Sequence, residues 1–243
     1  MNIKLNDSEI NFLKGPRSRW LELMFTLKTL KEFIKGFRTF HFIAPCITVF
    51  GSARLKEDNP FYDKARKLGA EIAKLGYTVM TGGGGGIMEA ANRGAKDVKG
   101  SSIGCNIILP MEQKQNDYLD KYVNIELFFV RKELLRKYSL AFIVFPGGFG
   151  TLDEFFETLT LIQTRKLKKF PLIIIGTEYY NDIKNQLEKM LVWETISYDD
   201  KDLILFTDDI DEVINYLNKQ EHLIVKKKYR PITFLGEKRM NSN

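Results

Sequence analysis

The strongest constraint in this chain is a repeated unit: a short apolar run that ends in small residues or glycine and gives way to a helical pattern. Ile47-Thr-Val-Phe50 ends in Gly51-Ser52, and helical spacing of apolar residues follows over 61–75. Residues 77–80 form a second run; Thr81 and five consecutive glycines, Gly82–Gly86, separate it from a helix expected over 87–95. Further strands are expected over 101–109, 124–130, 141–145, 171–175 and 203–206, with helices over 132–140, 151–164, 179–191 and 210–217. The run over 141–145 leads into Pro146-Gly-Gly-Phe-Gly150. Strands that are apolar throughout and alternate with helices belong to a parallel sheet covered on both faces. The predicted fold class is therefore α/β, a doubly wound Rossmann-like parallel sheet. Ligands of such sheets bind outside the carboxyl ends of the strands.

Charge divides the chain into three parts. Residues 1–40 carry a net +4, residues 219–243 a net +5, and the stretch between them a net −3. Together with the strand–helix alternation that starts at Ile47, this predicts a helical extension over 1–44, a Rossmann-like domain over 45–218 and a basic tail over 219–243. A mildly acidic domain between basic ends does not read as a nucleic-acid binder. No stretch has the run of about 20 apolar residues that spans a bilayer, and the first residues lack the apolar core of a signal peptide. The expected setting is cytoplasmic, with no membrane partner. The helical pattern over 20–37 is expected to pack on its own domain or on a partner subunit. There are two cysteines and two histidines, Cys46, Cys105, His41 and His222. A structural zinc site would need all four, so no metal is expected. Acid–base chemistry falls to carboxylates, lysine, tyrosine or arginine.

The glycine turns carry the first functional signal. Glycine lets a ligand approach the backbone closely, and a helix N-terminus offers free N–H groups to an anion. Gly82–Gly86 and Gly147–Gly150 both fit a phosphate cradle, with Gly51 and Ser52 on the same sheet edge. Neither run is a Walker loop or a dinucleotide fingerprint. Thr151-Leu-Asp-Glu154 then admits two readings: a capping box, with Thr151 as N-cap and Glu154 as its N3 partner, or a carboxylate facing the ligand. Arg131, expected just after the strand over 124–130, lies on the same edge as Glu154. Asp153 points elsewhere on the helix, and Cys105 is expected to be a buried small apolar residue.

Pro146-Gly-Gly-Phe-Gly-Thr-Leu-Asp-Glu154 resembles the P-G-G-x-G-T-x-x-E signature of the Lonely Guy (LOG) family. Arg131-Lys132 stands where that family has the last two residues of M-H-x-R-K; Phe128-Phe129 replaces its Met-His. The likeness extends from Ile47–Arg54 through Thr81–Asn92 to Asp208-Asp209. It implies a phosphoribohydrolase that releases free base from AMP or a cytokinin riboside 5'-monophosphate, and a homo-oligomer in which two chains complete a site. It implies that Gly147, Gly148, Gly150 and Thr151 hold the phosphate and that Glu154 acts on the ribose as base and charge stabiliser. Arg131 would bind substrate and keep Glu154 ionised. Gly51, Ser52, Gly83, Gly84, Glu89 and Lys132 complete the expected binding set, and Arg54 and Asn92 lie close by in the motif. The partner is a small nucleoside 5'-monophosphate, with no cofactor. The alternative is a non-catalytic nucleotide or molybdenum-cofactor carrier; an intact Arg131–Glu154 pair favours the enzyme. A pyridoxal-phosphate decarboxylase is disfavoured, because no lysine sits at a strand end with an acidic partner.

Overall fold

The computed structural model describes residues 7–108, 114–168 and 170–220. All of the basic tail beyond Gln220 lies outside them. Two helices lead in, α1 (Asp7–Leu13) and α2 (Arg19–Phe40). The domain then runs β1 (Cys46–Phe50), α3 (Pro60–Lys74), β2 (Thr78–Thr81), α4 (Ile87–Asp97), β3 (Ser102–Ile107) and β4 (Lys121–Ile125). It continues through α5 (Phe128–Tyr138), β5 (Ser139–Val144), α6 (Phe149–Gln163), β6 (Leu172–Ile174), α7 (Asn181–Val192), β7 (Ile204–Phe206) and α8 (Ile210–Asn218).

The strands form one seven-stranded sheet in the order β4-β3-β2-β1-β5-β6-β7. Every pairing is parallel. The doubly wound architecture expected from the apolar runs is therefore present. Alternate residues feed two cores. Ile47, Val49, Ile143 and Phe145 pack with Leu68, Ile72, Ala91 and Val213 of α3, α4 and α8. Cys46, Phe50, Phe142 and Val144 pack with Phe40, Leu134, Phe155 and Tyr180, on the face of α2, α5, α6 and the start of α7. Strand order reverses between β1 and β5, the switch point at whose carboxyl end ligands of such sheets bind.

One expected strand is corrected. The stretch over 124–130 is strand only to Ile125; Phe128 already starts α5. Phe128, Phe129 and Val130 are good strand formers, but the buried residues are Leu127, Val130 and Leu134. That spacing of three and four is helical, and burial of that face overrides propensity. Arg131 is thus the fourth residue of a helix and does not trail a strand. Elsewhere the elements match the expected runs to within a few residues.

Helix α2 has two apolar stripes. Phe25, Phe33 and Phe40 pack into the core, and Gly36 lies so close to Leu134 of α5 that an added Cβ would sit 2.3 Å from its Cδ1. The buried Glu32 carboxylate accepts the Glu126 N–H at 2.8 Å. The other stripe, Trp20, Leu27, Leu30 and Ile34, is exposed. No described helix is long and apolar enough to cross a membrane.

Helices α3 and α4 touch backbone to backbone. A Cβ built on Gly94 would lie 1.8 Å from the Arg66 carbonyl oxygen, and one on Gly69 would lie 2.1 Å from that of Ala91. Neither neighbour is a flexible side-chain end, so the helices themselves must part. Gly94→Ala is expected to cost about 2 kcal/mol of stability, in the range of overpacked cores, read as a lower urea midpoint at unchanged slope. A midpoint within error of wild type would mean that the helices separate freely.

Candidate active site

Three strand-end turns meet at the switch point and are stitched through their backbones. The Ser52 N–H donates to the Pro146 carbonyl at 2.9 Å, and the Ile87 N–H donates to the Ser52 carbonyl at 3.0 Å. This closeness dictates two glycines. A Cβ on Gly51 would meet Ile87, and Gly86, at φ +63°, faces the Ser52 carbonyl oxygen at a would-be Cβ distance of 2.4 Å. The Ser52 hydroxyl accepts the Arg54 N–H at 3.1 Å, while the Arg54 side chain is exposed.

The two glycine runs differ in what they leave free. Gly83 and Gly84 are buried. The Gly83 N–H donates to the Thr81 hydroxyl at 2.9 Å, and its carbonyl accepts the Asn116 N–H at 3.0 Å. The Gly84 carbonyl accepts the Asn116 amide at 2.9 Å. Asn92, fully buried, joins the same lattice through Thr81, Ser102 and Asn116. These residues hold the loop over 114–118 against the turn. By contrast Gly148 and Gly150 are exposed, with open space where a side chain would be. Phe149 between them is 93% exposed.

Helix α6 begins at Phe149, with Gly148 as N-cap and no side-chain cap. The capping-box reading is thereby overturned: Thr151 is the third helical residue, its side chain folded onto Gly147. The helix starts two residues before Thr151, so the Thr151 side chain lies inside the first turn and not at the cap position. The Thr151 and Leu152 N–H groups donate to the Gly148 carbonyl, each at 3.0 Å, which leaves those of Phe149 and Gly150 without an intrahelical acceptor, on residues exposed to solvent. Tyr179 braces this turn, donating its hydroxyl to the Gly147 carbonyl at 2.8 Å. No local motif signals Tyr179, which lies 32 residues away.

Glu154 lies one turn deeper and is 2% exposed. Its Oε2 is buried without a hydrogen-bond partner, and its Oε1 is 4.0 Å from Arg131 Nη1. Arg131 donates Nε–H to the Cys105 carbonyl at 3.0 Å. Its guanidinium crosses over Gly82, where a Cβ would lie 2.6 Å from Nη2 and 2.8 Å from the Met88 sulfur. Only glycine admits both groups there. Burial pushes the Glu154 carboxyl up to about 7, against the pull of Arg131, Lys132 and Arg136. The expectation that Arg131 keeps Glu154 firmly ionised is thus reversed: desolvation outweighs the cation at 4.0 Å. A carboxylate poised near neutrality suits a general base. Burial lifts the Cys105 thiol to about 12, so it stays protonated.

The remaining expected residues have other partners. Glu89 is half-buried and accepts the Tyr62 hydroxyl at 3.1 Å. The Lys132 ammonium is engaged by Asp153, at 2.9 Å, and by Glu157, so it faces α6. Buried Arg136 pairs with Glu157 at 2.7 Å and with Glu133. Arg136 and Glu157 were not anticipated, although Lys132/Arg136 and Asp153/Glu157 are each four residues apart and so share a helix face. Phe128 and Phe129, where the resemblance expects Met-His, stand partly exposed at the start of α5. Among the described residues, no group of three or more His, Cys, Asp or Glu is placed to hold a metal ion.

The fold is that of a Rossmann-type α/β protein, with three strand-end turns joined at the switch point. Residues 88–217, more than half of the chain, match the family model described as possible lysine decarboxylase. The chain belongs to that family, the Lonely Guy family that its Pro146–Glu154 signature resembles. A cytokinin riboside 5'-monophosphate phosphoribohydrolase of Mycobacterium tuberculosis is 35% identical over 99 residues, 40% of this chain and 52% of that one. One of Arabidopsis thaliana is 26% identical over 75% of this chain and 89% of its own. Among solved structures, the molybdenum cofactor carrier protein of Chlamydomonas reinhardtii is 22% identical and covers 72% of this chain and 97% of that one. Its TM-score of 0.54 is a likeness of fold.

The burial of Glu154 has a sign that stability measures. A carboxyl raised from 4.5 to about 7 holds its proton more tightly folded than unfolded. Its contribution is complete below the unfolded value and is lost as pH rises through the folded one. The loss approaches about 3 kcal/mol at one pKa unit per 1.36 kcal/mol. Glu154→Gln lacks this titration. In urea unfolding the variant should gain on wild type between about pH 4 and pH 8; a constant difference would show that Glu154 is not raised.

Proposed function

We propose that this chain is a 5'-phosphoribohydrolase that cleaves the N-glycosidic bond of AMP or of an N6-modified adenosine 5'-monophosphate. The observation that carries the reading is Glu154: buried, raised toward neutrality, with one oxygen unpartnered, beside Arg131 and one turn below an uncapped helix start. The phosphate lies on the N–H groups at Gly148–Gly150, with the Thr151 hydroxyl beside it and Gly51 and Ser52 at the neighbouring strand end. The ribose then lies toward Glu154. As the C1'–N bond breaks, its electron pair leaves with the base and positive charge develops on the ribose. The Glu154 carboxylate stabilises that charge and takes a proton from the attacking water, whose oxygen bonds to C1', while the departing base takes up a proton from solvent and Glu154 later returns its own to solvent. Arg131 orients the substrate and steadies the carboxylate. Glu89 lines the ribose side. Gly83 and Gly84 shape the wall through their packing, since the Gly83 N–H is already engaged by Thr81.

The names of the relatives support the reaction class, and the family likeness also carries an assembly of at least two chains. Pure protein is incubated with AMP and, separately, with isopentenyladenosine 5'-monophosphate, and chromatography follows free base and ribose 5-phosphate. Wild type should release base, and Glu154→Gln and Arg131→Ala should each lose about 10²–10⁴-fold, the weight of a general base. The rate should rise with pH as Glu154 loses its proton near 7. Tight nucleotide binding without release by wild type would overturn the enzyme in favour of a carrier.

A further inference from the structure

Helices α5 and α6 face one another with three cations and three acids, yet the pairing is uneven. Glu157 takes two ion-pair partners, Lys132 and Arg136, with Arg136 Nη1 at 2.7 Å from its Oε1, although its Oε2 and that Nη1 form no hydrogen bond of proper geometry. Asp153 takes Lys132 at 2.9 Å. Glu154, the most buried of the three acids, has only Arg131 at 4.0 Å, and its Oε2 has no partner. The least paired carboxylate therefore stands beside two cations already held by a neighbour. Glu157 is one turn further along α6 than Glu154, so both carboxylates address the same stretch of α5.

We infer that Glu157 is a positioning residue for Glu154: by occupying Lys132 and Arg136 it keeps them from closing onto the Glu154 carboxylate, which stays open toward the ligand. The inference rests on the reading of Glu154 as the reacting carboxylate. Arg136 is 7% exposed and cannot go without an acid, because a buried cation stripped of its partner is costly. With Glu157 neutralised, Glu133 remains on the outer side of Arg136, and the nearest under-paired acid inward is Glu154. The groups that face Glu154 are Arg131, Lys132 and Arg136 from α5, Glu157 from α6, and the protonated Cys105 thiol from β3. Glu157 is the one anion among them, and the charges act accordingly: the three cations pull the Glu154 titration down and Glu157 pushes it up.

Glu157→Gln should therefore do two things. It should move the Glu154 titration downward by about a unit or more, the effect of an opposite charge drawn within a few ångströms. It should also lower kcat about tenfold or more, with KM little changed, because the phosphate cradle at Gly148–Gly150 is untouched; a tenfold loss matches one unit of misplaced charge interaction. Lys132→Gln should shift the titration the opposite way, upward. Glu157→Asp should restore part of the wild-type value. Loss of either charge in a static arrangement would already give shifts of opposite sign, so the tenfold loss of kcat in Glu157→Gln and its recovery in Glu157→Asp separate positioning from a purely structural staple, which would lower stability and leave kcat unchanged.

The readout is the side-chain carboxyl resonance of ¹³C-labelled glutamate across pH, with the Glu154 signal identified by its loss in Glu154→Gln. It runs beside the pH profile of base release. A downward shift of a unit or more in Glu157→Gln that Glu157→Asp largely reverses supports the inference, whether or not wild type releases base. An unchanged Glu154 titration in both folded variants overturns it. Absence of base release by wild type, with the shifts present, overturns the proposed reaction and leaves the hold of Glu157 on Glu154 standing.

Discussion

The structure depends on a parallel sheet covered on both faces. Such a sheet offers a ligand only its edges, and strand order reverses at one place on the carboxyl edge, between β1 and β5. The turns that leave those two strands are not independent. The Ser52 N–H joins the Pro146 carbonyl, and the Ser52 carbonyl in turn receives the start of α4. One short backbone relay thus sets the relative heights of the β1 turn, the glycine run and the α6 turn. The uncapped start of α6 and the depth of Glu154 both follow from that setting.

At the site the deciding contest is between desolvation and charge. Three cations stand near Glu154, and simple proximity would hold it ionised. Burial wins, because one oxygen finds no donor and Arg131 is anchored elsewhere, on the Cys105 carbonyl. The anchor matters as much as the charge. An arginine free to form a bidentate pair would satisfy Glu154 and remove it from chemistry. Tied to β3 and threaded over Gly82, it comes only to the edge of contact.

Much of this was legible in the chain. The apolar runs mark the seven strands, and their glycine endings mark the edge where the strand-end turns are joined. Glu154 and Arg131 stand out as a pair because both follow from that edge. The start of α5 was misread, since Phe128-Phe129-Val130 has strand propensity and only tertiary burial of Leu127, Val130 and Leu134 decides for helix. The capping box was an open alternative because Thr-x-x-Glu is a sound local pattern, and only the earlier helix start at Phe149 removes it. The Tyr179 brace has no local signature. Its hydroxyl reaches Gly147 through the fold alone, as does the Asn116 lattice around the glycine run.

Glu32 bears on a different question, namely what can be trimmed from this molecule. Its carboxylate holds the Glu126 N–H, two residues before α5 begins, and Gly36 seats α2 against Leu134 within α5. The leading helix is therefore part of the mount on which Arg131 sits. Shortening the chain to its sheet would remove the acceptor of the Glu126 N–H and bare the Leu134 face of the helix that carries Arg131, without altering any residue of the site. The reach of the site upstream also gives variation a remote handle: a change in α2 tilts α5 and alters the reach of Arg131 while the signature residues stay as they are.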